Sequence, residues 1–173
     1  MVISIVLVVF CLRLYFLKIS IQHERKILEN GGREYGARNS QYLTVLHISF
    51  YLFASIESFV RHSVVDTVGT LGIFLLIFSM GMLYLVQSIL GEIWTVKLMI
   101  AKNHRYNDHL LFRLVKHPNY YLNIIPELLG LVLLCHAWVT AIILSPFYAW
   151  VLICRIREEE YLLETVILPN KVI

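Results

Sequence analysis

The stretch "FRLVKHPNYYLNIIPELLG", residues 112–130, sets the polar run Lys-His-Pro-Asn-Tyr-Tyr at the mouth of an apolar segment and then places Asn123, Pro126 and Glu127 inside it. Polar groups in hydrocarbon cost kcal/mol each when unpaired, so these side chains need partners or a functional path. The setting is that of a membrane protein. The 173 residues are 58% hydrophobic and only 16% charged, with mean hydropathy +0.70; a soluble domain carries about 25% charged residues. Five apolar runs can be marked, at 2–21, 42–60, 68–90, 120–135 and 137–154, and a helix needs about 20 residues to cross the hydrocarbon core. The first three suffice. The last two do so when their polar ends, Pro118 with Asn119 and Arg155, are counted, and they read as a helical hairpin turning at Cys135, His136 and Ala137. The first run has no basic n-region, and Arg13 and Lys18 fall too late for a signal peptide. The expectation is a single all-α membrane domain over residues 1–173 with five transmembrane helices.

Basic residues orient it. Loop 22–41 holds Arg25, Lys26, Arg33 and Arg38; loop 91–119 holds Lys97, Lys102, Arg105, Arg113 and Lys116; the tail adds Arg155, Arg157 and Lys171. The loop between the second and third runs holds only Arg61, and the 135–137 turn holds none. Short loops rich in Lys and Arg stay cytoplasmic, so the N-terminus is expected outside and the C-terminus inside. The net charge of +3 then follows from topology and anionic membrane lipids, not from nucleic acid. Cys11, Cys135 and Cys154 lie in apolar runs without ligand spacing and read as small apolar fillers. With no zinc pattern and no Gly-rich phosphate loop, no metal is expected, and the chemistry falls to the inner loops and helix ends.

Three inner segments carry polar side chains in patterns that suit a site. In loop 91–119, aromatic and aliphatic residues interleave with Lys97, His104, Arg105, Asn107 and His117, as in an interfacial segment lining a pocket. Pro118 fits the first turn of a helix, which would set His117 at its positive end, where free N–H groups hold anions; an isolated His-Pro also starts membrane helices at the headgroups. Within the fourth run Tyr120, Asn123, Glu127 and Gly130 share one helix face. Glu127 there either marks a functional path or makes a structural hydrogen bond, and Pro126 is expected to kink the helix. His47, Tyr51 and Ser55 form a weaker stripe on the second helix, and Glu57 with Arg61 reads as an outer-surface pair. The third segment is "RIREEEYLLE", where Arg155 and Glu159 share a face at i,i+4. It is either a solvated helix end or part of a site beside His117.

Together, "KHPNYYLNIIPELLG" and "RIREEEYLL" resemble the isoprenylcysteine carboxyl methyltransferase family, in which an HPxY element and a later RxxxEExxL element form the S-adenosyl-L-methionine site. The resemblance covers roughly residues 94–164, so the cofactor site is expected within 91–164, and the whole chain is similar to the family's short bacterial branch. Some of that branch O-methylate long-chain alkylpyrones. The resemblance implies an S-adenosyl-L-methionine-dependent methyltransferase in a bacterial cell membrane. His117, Pro118, Asn119 and Tyr120 match the HPxY element. His104, Arg105, Tyr106 and Asn107 match a second cofactor-binding stretch, with Phe112 where the family often has Tyr and Lys97 at an outlying cofactor position. Glu159 matches the acidic residue facing the cofactor's cation, and Arg155 the substrate-binding, catalytic Arg. Leu122 replaces the family's usual small residue, and its FGxxYxxY-like tail is missing.

The implied partner is a lipophilic small molecule drawn from the bilayer, beside the membrane lipids themselves. A carboxylate nucleophile needs no base, only an Arg such as Arg155 to orient it. A phenol or enol needs a base, a role open to Glu127 or His117. The missing tail and the similarity to the short branch favour a long-chain lipid over a prenylated protein. Two other readings stand beside this one. Membrane sterol and steroid reductases carry a similar HPNY turn and bind NADPH, but they typically end in a basic, aromatic tail, unlike "RIREEEYLLE". A non-catalytic protein of the same fold is the other.

Overall fold

The computed structural model describes residues 1–102 and 109–167. Four helices are long and apolar enough to cross a membrane. They are α1 (Val2–Glu29), α2 (Ala37–Val60), α3 (Thr67–Leu90) and α6 (Trp138–Leu162), with the short α4 (Leu110–Leu114) in the loop after α3. A further apolar helix spans Asn119–Cys135. At 1.5 Å per residue it is about 25 Å long, short of the roughly 30 Å hydrocarbon core. Of the five expected spans, four are thus met by length and composition, and the fourth run is a shorter helix. Large apolar side chains such as Phe74, Ile77, Ile142 and Trp150 cover the outside, as lipid rather than water as solvent would allow.

That shorter helix begins as a π-type turn, Asn119–Ile124, and continues as α5, Ile125–Cys135. Pro126 has no N–H and its ring would strike the carbonyl of residue 122 in a regular α-helix. A widened turn directly before it relieves that conflict. The hairpin turns where the sequence suggests, with His136 in the left-handed region at φ 53°. Yet α5 packs chiefly on α3, and α6 chiefly on α2. The α3–α5 seam is close because two glycines face each other: a Cβ on Gly72 would lie 2.6 Å from both Gly130 O and Leu134 N. Small residues admit such backbone approach between membrane helices.

The all-α expectation needs one amendment. Strand β1 (Arg33–Tyr35) pairs antiparallel with β2 (Leu98–Ile100), Arg33 opposite Ile100. Three-residue strands are too short to show a period, so the sequence gives no sign of them. Glu57 also does more than pair with Arg61 on the surface. Its carboxylate accepts from Val139 N at 3.1 Å, Thr140 N at 2.9 Å and Thr140 Oγ1 at 2.8 Å, capping the free N–H groups that open α6.

A polar cluster crosses the apolar bundle. Arg13 of α1 donates from Nε to Glu127 Oε1 at 2.6 Å and from Nη2 to Asn123 Oδ1 at 2.9 Å, and pairs with the second carboxylate oxygen of Glu127. Tyr51 of α2 donates to the same carboxylate at 2.5 Å, and His47 reaches Tyr148 of α6 at 3.1 Å. From α3, Ser79 Oγ lies 3.0 Å from both Asn123 oxygens. Every long helix contributes a side chain.

The glycine seam yields a stability test. Gly72→Ala should destabilise the protein by about 1–3 kcal/mol, since the new methyl meets backbone that cannot move aside. Gly81→Ala, with nothing within 4 Å of its would-be Cβ, should be neutral or stabilising by up to about 1 kcal/mol. Thermal unfolding in detergent reads both; equal behaviour of the two variants would refute the close seam.

Candidate functional site

The site grows from the two motif elements, brought together where the π-type turn begins and α6 ends. On α6, Arg155 and Glu159 stand one turn apart on the same face. Across from them, His117 and Tyr120, three residues apart, stack their rings with centroids at 5.8 Å and planes at 28°. Tyr120 donates its hydroxyl hydrogen to Glu159 Oε2 at 2.6 Å, and Arg155 Nε approaches the same hydroxyl at 3.3 Å. His117 faces two carboxylates, with Nδ1 3.3 Å from Glu159 and Nε2 3.5 Å from Glu160. Lys116 closes the outer side on Glu160 at 2.6 Å.

Behind them lies a cavity of about 370 Å³, within the range of small-molecule sites. The polar wall is His117, Pro118, Asn119, Tyr120, Arg155 and Glu159; the apolar wall includes Val86 and Leu90 of α3, Trp94 and Phe112. That apolar wall continues into the packing of Phe16, Leu83, Val86 and Trp94 between α1 and α3. Trp94 is buried, and its indole Nε1 has no hydrogen-bond partner among the described residues. Its carbonyl, by contrast, is fixed by His23 Nδ1 at 2.9 Å. The next segment is tied down from both sides, Val96 N donating to Ser20 Oγ at 2.9 Å and Arg155 Nη2 to Val96 O at 3.3 Å.

Arg155 is the unusual member. It is 3% exposed, and its hydrogen bonds go to neutral groups: the Tyr120 hydroxyl, Ser40 Oγ at 2.8 Å and the Val96 carbonyl. Among the described residues no carboxylate forms a salt bridge with it. Glu159 acts on it through space, but with no direct salt bridge the buried cation retains attraction for an anion entering the cavity.

Lys97, Phe112, the 117–120 run, Arg155 and Glu159 therefore meet at one cavity. Lys97 does so with its ammonium turned to Glu34 at 3.2 Å and Glu24 at 3.4 Å. Desolvation pulls its pKa down, but those two carboxylates more than offset it and hold it above the ordinary lysine value. Glu127 is not brought to the cavity. Its carboxylate is engaged by Arg13 and Tyr51. His104, Arg105, Tyr106 and Asn107 lie outside the described residues. Trp94, Glu160 and Ser40 line or support the site without having been singled out from the sequence. An aromatic opening a polar loop was the available hint for Trp94, and the run of three glutamates for Glu160. Ser40 offered none.

The environment of His117 predicts its titration. Burial lowers an imidazole pKa, but here Glu159 and then Glu160 raise it further, and the result lies above the usual histidine value. The stabilisation from this raised pKa is complete below the unfolded-state value and is lost as pH rises through the folded one. In NMR titration of labelled histidine, His117 should titrate above the ordinary histidine value, and Glu159→Gln should bring it down. A His117 that titrates at or below the ordinary value would contradict the geometry.

Comparisons with known proteins agree with the motif geometry. The family model for the isoprenylcysteine carboxyl methyltransferase (ICMT) family matches residues 71–165, more than half of the chain and the whole of the motif-bearing part. An uncharacterized protein of Haemophilus influenzae is 43% identical over 152 residues, 88% of each chain. The uncharacterized protein YpbQ of Bacillus subtilis is 30% identical over 147 residues, 84% of this chain and 86% of its own. No solved structure gives a significant match. The chain, with its membrane-length helices and its two motif elements joined at one cavity, belongs to the ICMT family of membrane methyltransferases.

Proposed function

We propose that the protein binds S-adenosyl-L-methionine in the cavity at the 117–120 turn and methylates a carboxyl or acidic hydroxyl group of a lipophilic substrate drawn from the bilayer. The observation that carries this reading is Arg155, a buried guanidinium lining the cavity and hydrogen-bonded only to neutral groups among the described residues. The wall chemistry suits the cofactor. Glu159 and Glu160 would hold its cations, Lys116 and His117 its carboxylate, and Trp94 and Phe112 its adenine, the Trp94 indole N–H having no partner among the described residues. When bound, S-adenosyl-L-methionine supplies an electrophilic methyl group whose transfer turns a sulfonium into a neutral thioether.

The chain's own residues do the rest by placement. Arg155 holds the acceptor oxygen's charge without taking its electrons, and Tyr120 and Ser40 keep the guanidinium from swinging toward Glu159. The apolar wall of Val86 and Leu90 excludes water and accepts an alkyl chain. Alignment in a dry pocket supplies about 7–11 kcal/mol through effective molarity. A carboxylate acceptor asks for nothing more; a phenol or enol also needs a base, which His117 supplies only in its neutral form, and Glu159 and Glu160 favour the protonated one. The same reading places Asn119–Cys135 as a short fifth span in a bacterial cell membrane. Loops 22–41 and 91–119 and the C-terminus then face the cytoplasm, where the cofactor is found.

Calorimetry in detergent should show S-adenosylhomocysteine binding at 1:1. Binding of NADPH instead would favour a reductase and overturn the proposal. Glu159→Ala should weaken S-adenosylhomocysteine by about 1.5–3 kcal/mol, the worth of a charge-assisted hydrogen bond, whereas Arg155→Ala should mainly impair the lipid substrate; wild-type behaviour of both would reduce the segment to a charged helix end.

Burial of each CH₂ is worth about 0.8 kcal/mol, so turnover should rise with chain length across a series of alkylpyrones or alkylphenols. Efficient methylation of farnesylcysteine with none of these lipids would overturn the substrate choice alone.

For topology, cysteines replacing Arg38 and Lys102 should label from one side and a cysteine replacing His62 from the other, in a background without the native thiols. Labelling of all three from the same side would rule out the five-span arrangement.

A further inference from the structure

We infer that Arg13, in the middle of the first membrane helix and outside the cavity, is a positioning residue that fixes which end of the Asn119 amide faces the cofactor. The inference rests on the proposed cofactor site and adds a residue to it. It follows from hydrogen-bond polarity. An asparagine amide has a donor end and an acceptor end, and which is which is decided by its partners. Arginine is donor-only. The end of Asn123 that meets Arg13 Nη2 at 2.9 Å must therefore be the oxygen, and Ser79 Oγ at 3.0 Å is satisfied by the same choice. The other end, Asn123 Nδ2, then donates to Asn119 at 2.9 Å, and so the atom it meets must be Asn119 Oδ1. With its oxygen used, Asn119 presents its amide N–H groups, which have no partner among the described residues, and Asn119 lines the cavity.

Polarity is thus passed through two amides from an ion pair in the bundle core. Arg13 itself cannot turn away, because Glu127 holds its Nε at 2.6 Å and is held in turn by Tyr51 at 2.5 Å. Asn123 is fully buried and stands in the π-type turn, so its amide has no water to satisfy a flipped orientation. The cavity is consequently given a fixed hydrogen-bond donor, suited to an acceptor atom of the cofactor and hostile to a donor there. Without Arg13, both amides could reverse together at little cost, and Asn119 would offer an oxygen instead.

The test titrates S-adenosylhomocysteine into detergent-purified variants. Asn119→Ala should bind about tenfold more weakly than wild type, as for one lost hydrogen bond, and Asn119→Asp more weakly still, since it replaces the donor by an acceptor. Arg13→Lys, which keeps donor-only polarity, should stay within about threefold of wild type, and Arg13→Met should lose about tenfold. In an Asn119→Ala background Arg13→Met should cost nothing further, a non-additivity that general destabilisation would not produce. Additive losses, or Asn119→Asp binding as well as Asn119→Ala, would overturn the inference. Should Arg13→Met fail to fold, Asn123→Asp keeps a partner for Arg13 but repels the Asn119 oxygen; it should weaken binding as Asn119→Asp does, and wild-type affinity would refute the relay.

A second readout needs no cofactor. The ¹⁵N side-chain amide of Asn119 should give one signal pair in the wild type and in Arg13→Lys, a doubled or exchange-broadened pair in Arg13→Met, and a single pair at shifted positions in Asn123→Asp, where the acceptor-only carboxylate fixes the reversed orientation. An unchanged signal in a folded variant would overturn the inference. If wild-type protein did not bind S-adenosylhomocysteine while the signals behaved as expected, the cofactor assignment would fall and the polarity relay would stand.

Discussion

A carboxylate buried among five apolar helices is costly unless its partners are close, charged and fixed, and the ion pair of Glu127 with the partly buried Arg13 meets that demand. Around it the bundle has little freedom. Glu127 can keep its place only while α5 stays beside α1, and Tyr51 can reach the carboxylate only while α2 packs on both. Asn123 and Ser79 add α3, and the His47–Tyr148 contact adds α6. In hydrocarbon no water can substitute for a lost partner, so helix rotation or slippage would strand a charge. The cluster therefore sets the rotation of each helix about its axis, which apolar packing against lipid specifies poorly.

The rest of the architecture works outward from that fixed centre. Toward one end, Gly72 and Gly130 let α3 and α5 close, while Glu57 caps the first turn of α6. Toward the other, the π-type turn ahead of Pro126 swings Asn119 and Tyr120 to the side where α6 presents Arg155 and Glu159. A widened turn is weak in isolation. Here it is held by Asn123, whose amide is gripped at both ends. Stability of the core and geometry of the cavity thus share one residue.

The cavity has one polar and one apolar wall. Its polar wall is made by the motif turn and the emerging end of α6, with Lys116, His117, Glu159 and Glu160 neutralising one another. Its apolar wall is continuous with side chains between α1 and α3. In the proposed function, a polar ligand from water and a greasy one from lipid would meet where Arg155 stands. Among the described residues lining the cavity, the charge network of Lys116, His117, Glu159 and Glu160 is internally paired, while the Arg155 guanidinium makes no direct salt bridge and so attracts an incoming anion.

Much of this was legible in the sequence, because the signals are local. Apolar runs of membrane length, the stripe Tyr120–Asn123–Glu127–Gly130 at helical spacing, the hairpin turn at His136 and the two motif elements depend only on chain periodicity and on residue chemistry within a few positions. The sequence also showed that Asn123 and Glu127 needed partners, and Arg13 stood in plain view inside the first apolar run. It could not say that these belonged together, since their pairing spans more than a hundred residues and depends on how α1 is rotated against α5. Glu127 read alone suited either a functional path or a structural hydrogen bond; packing made it the counter-ion of Arg13. The β1–β2 pairing, the Glu57 cap and the support of Arg155 by Ser40 were hidden for the same reason. What a residue is and which face it occupies is written in the chain, but which partner satisfies a buried polar group is chosen by tertiary geometry, where the cost of leaving it unpaired decides.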